Sequence, residues 1–195
     1  QGTLTHMMQT YWHHQSGATK SFVDDYLMSD GDPVITNEGV SSLYMDDKTI
    51  EDVFVNRDPR MRQTVLHPDD AERYRFYELN PVHPLILGMG GTKETATGYH
   101  VIKYWNREMM NLTWGQITQP CIIFRYAEVL LNYVEAKAEL GTITQSDVDI
   151  TINALRDRVG MVYLDLNNVP VDPRYTDVSP IIAEVRRERK IELAF

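Results

Sequence analysis

Residues 122–160 read IIFRYAEVLLNYVEAKAELGTITQSDVDITINALRDRVG, and this stretch decides the fold. Its first part predicts a helix over 125–140. Ala127, Leu130, Leu131, Val134 and Ala138 recur at helical spacing as one apolar stripe, and Tyr126, Val129, Tyr133, Ala136 and Leu140 form a second. Glu128, Asn132, Glu135 and Glu139 make the single polar stripe, so the helix is expected to pack on two sides. Gly141 stands where a left-handed cap ends a helix. A second helix is expected from Thr144, with Asp147 three residues on at the spacing of a capping box. Val148, Ile152, Leu155 and Val159 line one of its faces before Gly160 closes it. The connection is only a few residues long, so the two helices must run antiparallel.

Downstream, Pro170 and Pro173 mark a loop over 167–177. Ser179 then offers an N-cap and Pro180 a first helical residue. On that third helix Ile181, Val185, Glu188 and Glu192 share one face. Two carboxylates beside two aliphatics have two readings. The face is partly solvated, or Glu188 and Glu192 pair with cations inside the bundle, because a buried charge must be compensated. Arg125, Arg156 and Arg158 are the candidate cations.

Upstream, residues 1–115 lack sustained periodicity, and Pro33, Pro59, Pro68, Pro81 and Pro84 cut them into short pieces. Short helices are expected at 19–28 and 49–56, and a short strand at 99–105. The intervening 56–100 is long for a connection, which points to a functional or flexible segment. The expected division is therefore a loop-rich, ligand-side region at 1–115 and a helical region at 116–195. The fold class is mostly α: tetratricopeptide-like antiparallel helix pairs with a loop-rich region and few short strands. A repeat of about 34 residues is not visible in the pattern itself.

Composition excludes several functions. The net charge is −9 with only 19 basic residues, a poor surface for a nucleic-acid backbone. Cys121 is the sole cysteine and reads as a small buried hydrophobe, with no internal disulfide to form. No apolar run reaches the ~18 residues of a membrane span. The chain opens Gln1-Gly2-Thr3 with no signal peptide and stops inside a helical pattern at 186–195. Both ends are expected to be cuts in a longer protein, truncating the helical region. No HExxH, CxxC, phosphate loop or GxSxG elbow occurs, and the paired aspartates match no EF-hand, so neither metal nor cofactor is expected.

Several segments, the first of them inside the quoted stretch, carry a resemblance. Phe124-Arg125-Tyr126-Ala127-Glu128-Val129-Leu130-Leu131-Asn132-Tyr133, followed by Glu135-Ala136-Lys137, resembles a signature of the SusD/RagB family of nutrient-binding outer-membrane lipoproteins of Bacteroidetes. Val23-Asp24-Asp25-Tyr26, Arg57-Asp58-Pro59-Arg60, Leu155-Arg156-Asp157-Arg158 and Arg187-Glu188-Arg189-Lys190-Ile191-Glu192 resemble further segments, in the family's order. The resemblance implies carbohydrate binding without catalysis: a surface-exposed outer-membrane protein, held by a lipid anchor outside this chain. It implies capture of glycan or peptide nutrients and delivery to a TonB-dependent SusC-like transporter, as in polysaccharide utilization. Glycan capture needs aromatic faces and hydroxyl partners on loops. Tyr11, Trp12 and His13 are the leading ligand-binding candidates; an irregular Gly/Ser/His setting offers Trp12 no periodic apolar company. Trp105 and Trp114 read as packing residues, and Tyr74 and Tyr77 with Arg73 and Arg75 as a solvated surface. The alternatives are a helical interaction scaffold with no small-molecule ligand and, with less support, a glycan-degrading enzyme.

Overall fold

The structure is a computed structural model that describes residues 17–46, 48–70, 95–103 and 122–195. In chain order the elements are α1 (Lys20–Asp24), a hairpin of β1 (Ile35–Thr36) and β2 (Gly39–Val40), a 3₁₀ turn (Asp52–Phe54), and α2 (Arg60–Thr64). The helical part comes next: α3 (Tyr126–Glu139), α4, and α5 (Pro180–Leu193). We treat as one helix, α4, the consecutive segments Gln145–Val148, Asp149–Asn153 and Ala154–Asp157, of which the middle one is a wider π turn.

The chain forms two compact units. The first comprises residues 1–23, 47–54 and 61–123; the second comprises 24–46, 55–60 and 124–195. In the first, the described part of the strand expected at 99–105, residues 99–103, carries a single antiparallel bridge among the described residues, Val65 to Val101. Leu66 N–H donates to the His100 carbonyl (2.9 Å) and Ile102 N–H to that of Thr64 (2.8 Å). Phe22, Val53, Phe54, Met61, Val65, Leu66 and Ile102 are buried there. The Gly17 backbone lies so close to its neighbours that a Cβ would overlap Thr97 Oγ1 and meet the Tyr99 carbonyl at 3.0 Å. The helix expected over 49–56 shortens to the 3₁₀ turn. Thr49 and Asp52 cap it reciprocally, Thr49 N–H to Asp52 Oδ2 at 3.1 Å and Asp52 N–H to Thr49 Oγ1 at 3.2 Å.

The helix expected over 19–28 ends at Asp24, because tertiary pairing competes for residues 26–28. In the second unit Met28 bridges Arg57, and Asp58 N–H donates to the Leu27 carbonyl (2.9 Å). These bonds hold 26–28 extended beside 57–58.

The core of the second unit is the quoted stretch. Ala127, Leu131, Val134 and Ala138 of α3 pack on Val148, Ile152 and Leu155 of α4, on Leu164, and on Val185 of α5. Gly141 has φ +65, a left-handed conformation that costs other residues about 1–2 kcal/mol. Gly141 and Thr142 N–H groups return to the Ala138 and Lys137 carbonyls, closing α3 where the glycine predicts. Thr144 caps α4 with both halves of the capping box. Asp147 holds the box together and accepts the Tyr133 hydroxyl at 2.6 Å, tying α3 to the start of α4. The Thr144 and Tyr133 hydroxyls hold its carboxyl well below the usual carboxylate range.

Two features depart from expectation. The second apolar stripe of α3 is not packed: Tyr126, Val129 and Leu140 are 73%, 52% and 74% exposed, and Tyr133 is exposed apart from its Asp147 bond. The π turn in α4 also has no signature in the apolar spacing. Two side chains of the same helix bind the segment that follows it. Asn153 takes the Leu164 N–H (2.7 Å) and donates to the Leu164 carbonyl (3.2 Å), while Gln145 takes the Leu166 N–H (2.9 Å) and also donates to the Leu164 carbonyl (2.9 Å). Two amides on α4 thereby satisfy the backbone of a segment that pairs with no strand among the described residues.

Thr144→Ala removes the cap acceptor and is expected to cost about 1 kcal/mol, while Thr144→Ser retains most of it. Urea denaturation of the two variants measures the difference.

Candidate functional site

Tyr11, Trp12 and His13 lie outside the described residues, as do Trp105, Trp114, Cys121, Tyr74, Tyr77 and their arginines. What the described residues assemble is a chain of buried ion pairs in the second unit, built on one face of α5.

Helical spacing puts Glu184, Glu188 and Glu192 on successive turns of α5, and all three are buried. Glu188 lies between two guanidinium groups. Arg156 of α4 donates through Nε at 3.1 Å, and Arg60 of α2 donates through Nη1. Arg60 is itself clasped by Asp58, with Nη2 to Oδ2 at 2.6 Å. Arg156 continues to Glu184 (2.5 Å) and to the Val162 carbonyl (3.2 Å). Glu192 gathers Arg125 (2.7 Å), Arg158 (2.8 Å) and Arg60 (3.2 Å). Arg125 also donates to the Glu192 carbonyl.

The network extends past Glu184. Arg187 Nη2 meets Asp172 Oδ2 at 2.9 Å; Arg174 meets the same oxygen at 2.7 Å and Asp25 at 3.2 Å. Asp25 is fully buried and also takes Lys190 and the Tyr175 hydroxyl (2.7 Å). The Tyr175 ring lies under two cations, with the Arg174 and Arg187 guanidinium carbons 5.4 and 5.8 Å from its centroid.

Electrostatics explain why these charges survive burial. Desolvation would raise the Glu188 carboxyl, but Arg60 and Arg156 outweigh it and hold the group below its ordinary value. Burial likewise opposes Asp172, and the hydrogen bonds and charges of Arg174 and Arg187 bring it down. Burial and the hydrogen bond to Asp25 push the Tyr175 phenol up to about 12. In the first unit, burial alone lowers His100 to about 4, so it is neutral at physiological pH. Among the described residues no cluster of three or more His, Cys, Asp or Glu is placed to hold a metal.

The structure thus brings together Arg125, Arg156, Glu188 and Glu192, and of the two readings of that α5 face it shows the buried one. Sequence reasoning missed Arg60, Glu184, Arg187 and Asp172. Glu184 had a signal, sitting one turn before Glu188. Arg60 had none from pattern, because 128 residues separate it from Glu188.

These segments are the ones that carry the resemblance noted above. The sequence profile of the SusD family matches residues 9–195. The chain belongs to the SusD family. A solved SusD-like carbohydrate-binding protein from Bacteroides fragilis NCTC 9343 is 25% identical, with TM-score 0.52 over 90% of this chain and 32% of that one. A second SusD-like protein from the same strain is 23% identical, with TM-score 0.63 over 96% of this chain and 37% of its own. This chain therefore spans about a third of the length of the structures it matches. No curated protein matches it. The helical part is the tetratricopeptide-like fold of the family, and the ionic chain on α5 lies within it.

Glu188→Ala leaves two buried guanidinium groups without their shared carboxylate and is expected to cost about 3–5 kcal/mol. A near-neutral melting temperature would show that the pairing carries no weight. Acid dependence is set by the lowered carboxyls. Glu188 and Asp172 contribute stability that is present above the ordinary carboxyl values of 4.5 and 3.8 and is lost as pH falls through their lower folded values. Stability measured from pH 6 downward is expected to fall below about pH 4.5, and less steeply in Glu188→Gln.

Proposed function

We propose that this chain is part of a non-catalytic receptor that binds oligosaccharide, or peptide, nutrients at the bacterial outer membrane and delivers them to a TonB-dependent SusC-like transporter. The observation that carries the reading is the SusD family match over residues 9–195. The carbohydrate-binding description of the Bacteroides fragilis relative supports it. The ionic framework suits such a role: it fixes loops and helices without presenting a nucleophile or a paired acid and base to solvent. In this reading a lipid anchor outside the chain holds the protein at the cell surface. Tyr11, Trp12 and His13 remain the proposed ligand contacts, acting through ring faces and polar edges.

One observation favours a second reading, a helical interaction scaffold without a small-molecule ligand. The exposed stripe of Tyr126, Val129, Tyr133 and Leu140 on α3 is apolar enough to seat another protein surface.

Calorimetric titration of the full-length protein with a panel of polysaccharides and peptides separates these readings, with released reducing ends assayed in parallel. Saturable binding without product is expected. Trp12→Ala is expected to weaken it about tenfold. Product release, or capture of a protein partner with no glycan or peptide bound, would displace the receptor reading.

A further inference from the structure

The outer face of α3 takes no part in the packing described above. Tyr126, Val129, Tyr133, Ala136 and Leu140 lie along it at intervals of three, four, three and four residues. All five are exposed, and so is Phe124 just before the helix. Intervals that alternate between three and four are those of a seam that another helix fills. The seam lies about 150° round the helix axis from the buried stripe of Ala127, Leu131, Val134 and Ala138. The pattern therefore suits a helix held from both sides, and the small Ala136 within the seam lets a second backbone come close.

The polar groups beside the seam are already spent inside the unit. The Tyr133 hydroxyl donates to Asp147 at 2.6 Å, so its ring can be covered without stranding a donor. On the flank, Asn132 accepts from Arg189 at 2.6 Å, Glu135 meets Arg189 at 3.3 Å and Glu139 meets Arg186 at 2.9 Å. A cover needs few polar partners of its own; what it must supply is apolar area. Separable interfaces are about as polar as the rest of a protein surface, whereas permanent ones resemble a core cut in half. The α3 seam is of the second kind. A contiguous row of two tyrosines, a valine and a leucine exceeds the scattered hydrophobic residues that a free surface normally carries.

The SusD-like structures matched above are about three times as long as this chain, and the matches take in 90% and 96% of it. The family fold thus has most of its chain outside the part matched here, and that polypeptide is the most direct source of a permanent cover. We propose that the α3 seam is interior in the whole protein, covered by a helix of the same polypeptide from outside residues 1–195. The assignment rests on the family fold and on the seam, and not on the ligand. It also removes the observation that favours an interaction scaffold.

Hydroxyl-radical labelling of the purified full-length protein, read by mass spectrometry, tests it. Tyr126, Val129 and Leu140 are expected to label at least about tenfold more slowly in the native protein than in urea. Weaker protection would overturn the proposal. So would protection that vanishes on dilution while sedimentation shows a dimer dissociating, because the cover would then be a second copy. Photoreactive benzoylphenylalanine in place of Leu140 identifies the occupant. In protein of monomer mass it is expected to cross-link to a peptide outside residues 1–195; cross-links confined to residues 1–195 would overturn the assignment. Val129→Arg puts a charge into the seam and is expected to lower the melting temperature of the full-length protein by about 5 °C or more. An unchanged melting temperature would overturn the proposal; should the variant fail to fold, labelling of the parent decides. A face reserved for a separate protein gives the opposite results, with free labelling of Tyr126 and tolerance of Val129→Arg in the purified protein. None of these readouts depends on glycan or peptide binding, so this assignment and the receptor reading fail separately.

Discussion

The ion chain that ties the second unit together turns on one buried carboxylate. Glu188 is shared by Arg60 and Arg156, which come from distant parts of the chain. Stripping water from such charges costs several kcal/mol per ion, and only good geometry with further partners recovers it. Asp58 behind Arg60 and Glu184 behind Arg156 are those partners. The arrangement adds little net stability over a well-packed apolar core of similar volume. What it adds is selectivity: a misplaced α5 would leave unpaired charges inside, so wrong packings are penalised far more than the right one is rewarded.

Local signals in the sequence located the helical hairpin well. Gly141 ends α3, Thr144 and Asp147 start α4, and Pro180 opens α5 in the structure as the pattern predicts. Each is a short-range signal, in which a backbone group finds its partner within a few residues. Long-range competition was not legible. Nothing in 19–28 shows that Met28 will pair with Arg57 and stop α1 at Asp24. The bonds of Asn153 and Gln145 to the Leu164 and Leu166 backbone are hidden for the same reason. The second stripe of α3 was read correctly as apolar, but periodicity cannot say whether a partner is present, and here that face is open.

The ion chain was half legible. Two glutamates at aliphatic positions of α5 signalled that something had to compensate them. The identity of the cations depends on tertiary placement, which brings Arg60 to Glu188 across 128 residues of sequence. On α5 the inward carboxylates fasten loops and helices, while the flanking cations Arg187 and Lys190 pair with Asp172 and Asp25.

The separation between Arg60 and Glu188 also bears on how the molecule is made. Synthesis delivers Arg60, Arg125, Arg156 and Arg158 well before the three glutamates of α5. Until those turns leave the ribosome, Arg60 has only Asp58 to pair with, and Arg125, Arg156 and Arg158 lack their glutamates. The earlier helices can form their hairpin, but the unit cannot lock. Its cooperative closure is therefore a late event, governed by the arrival of counter-charge, and chains halted before residue 184 should be held open for chaperones or proteases.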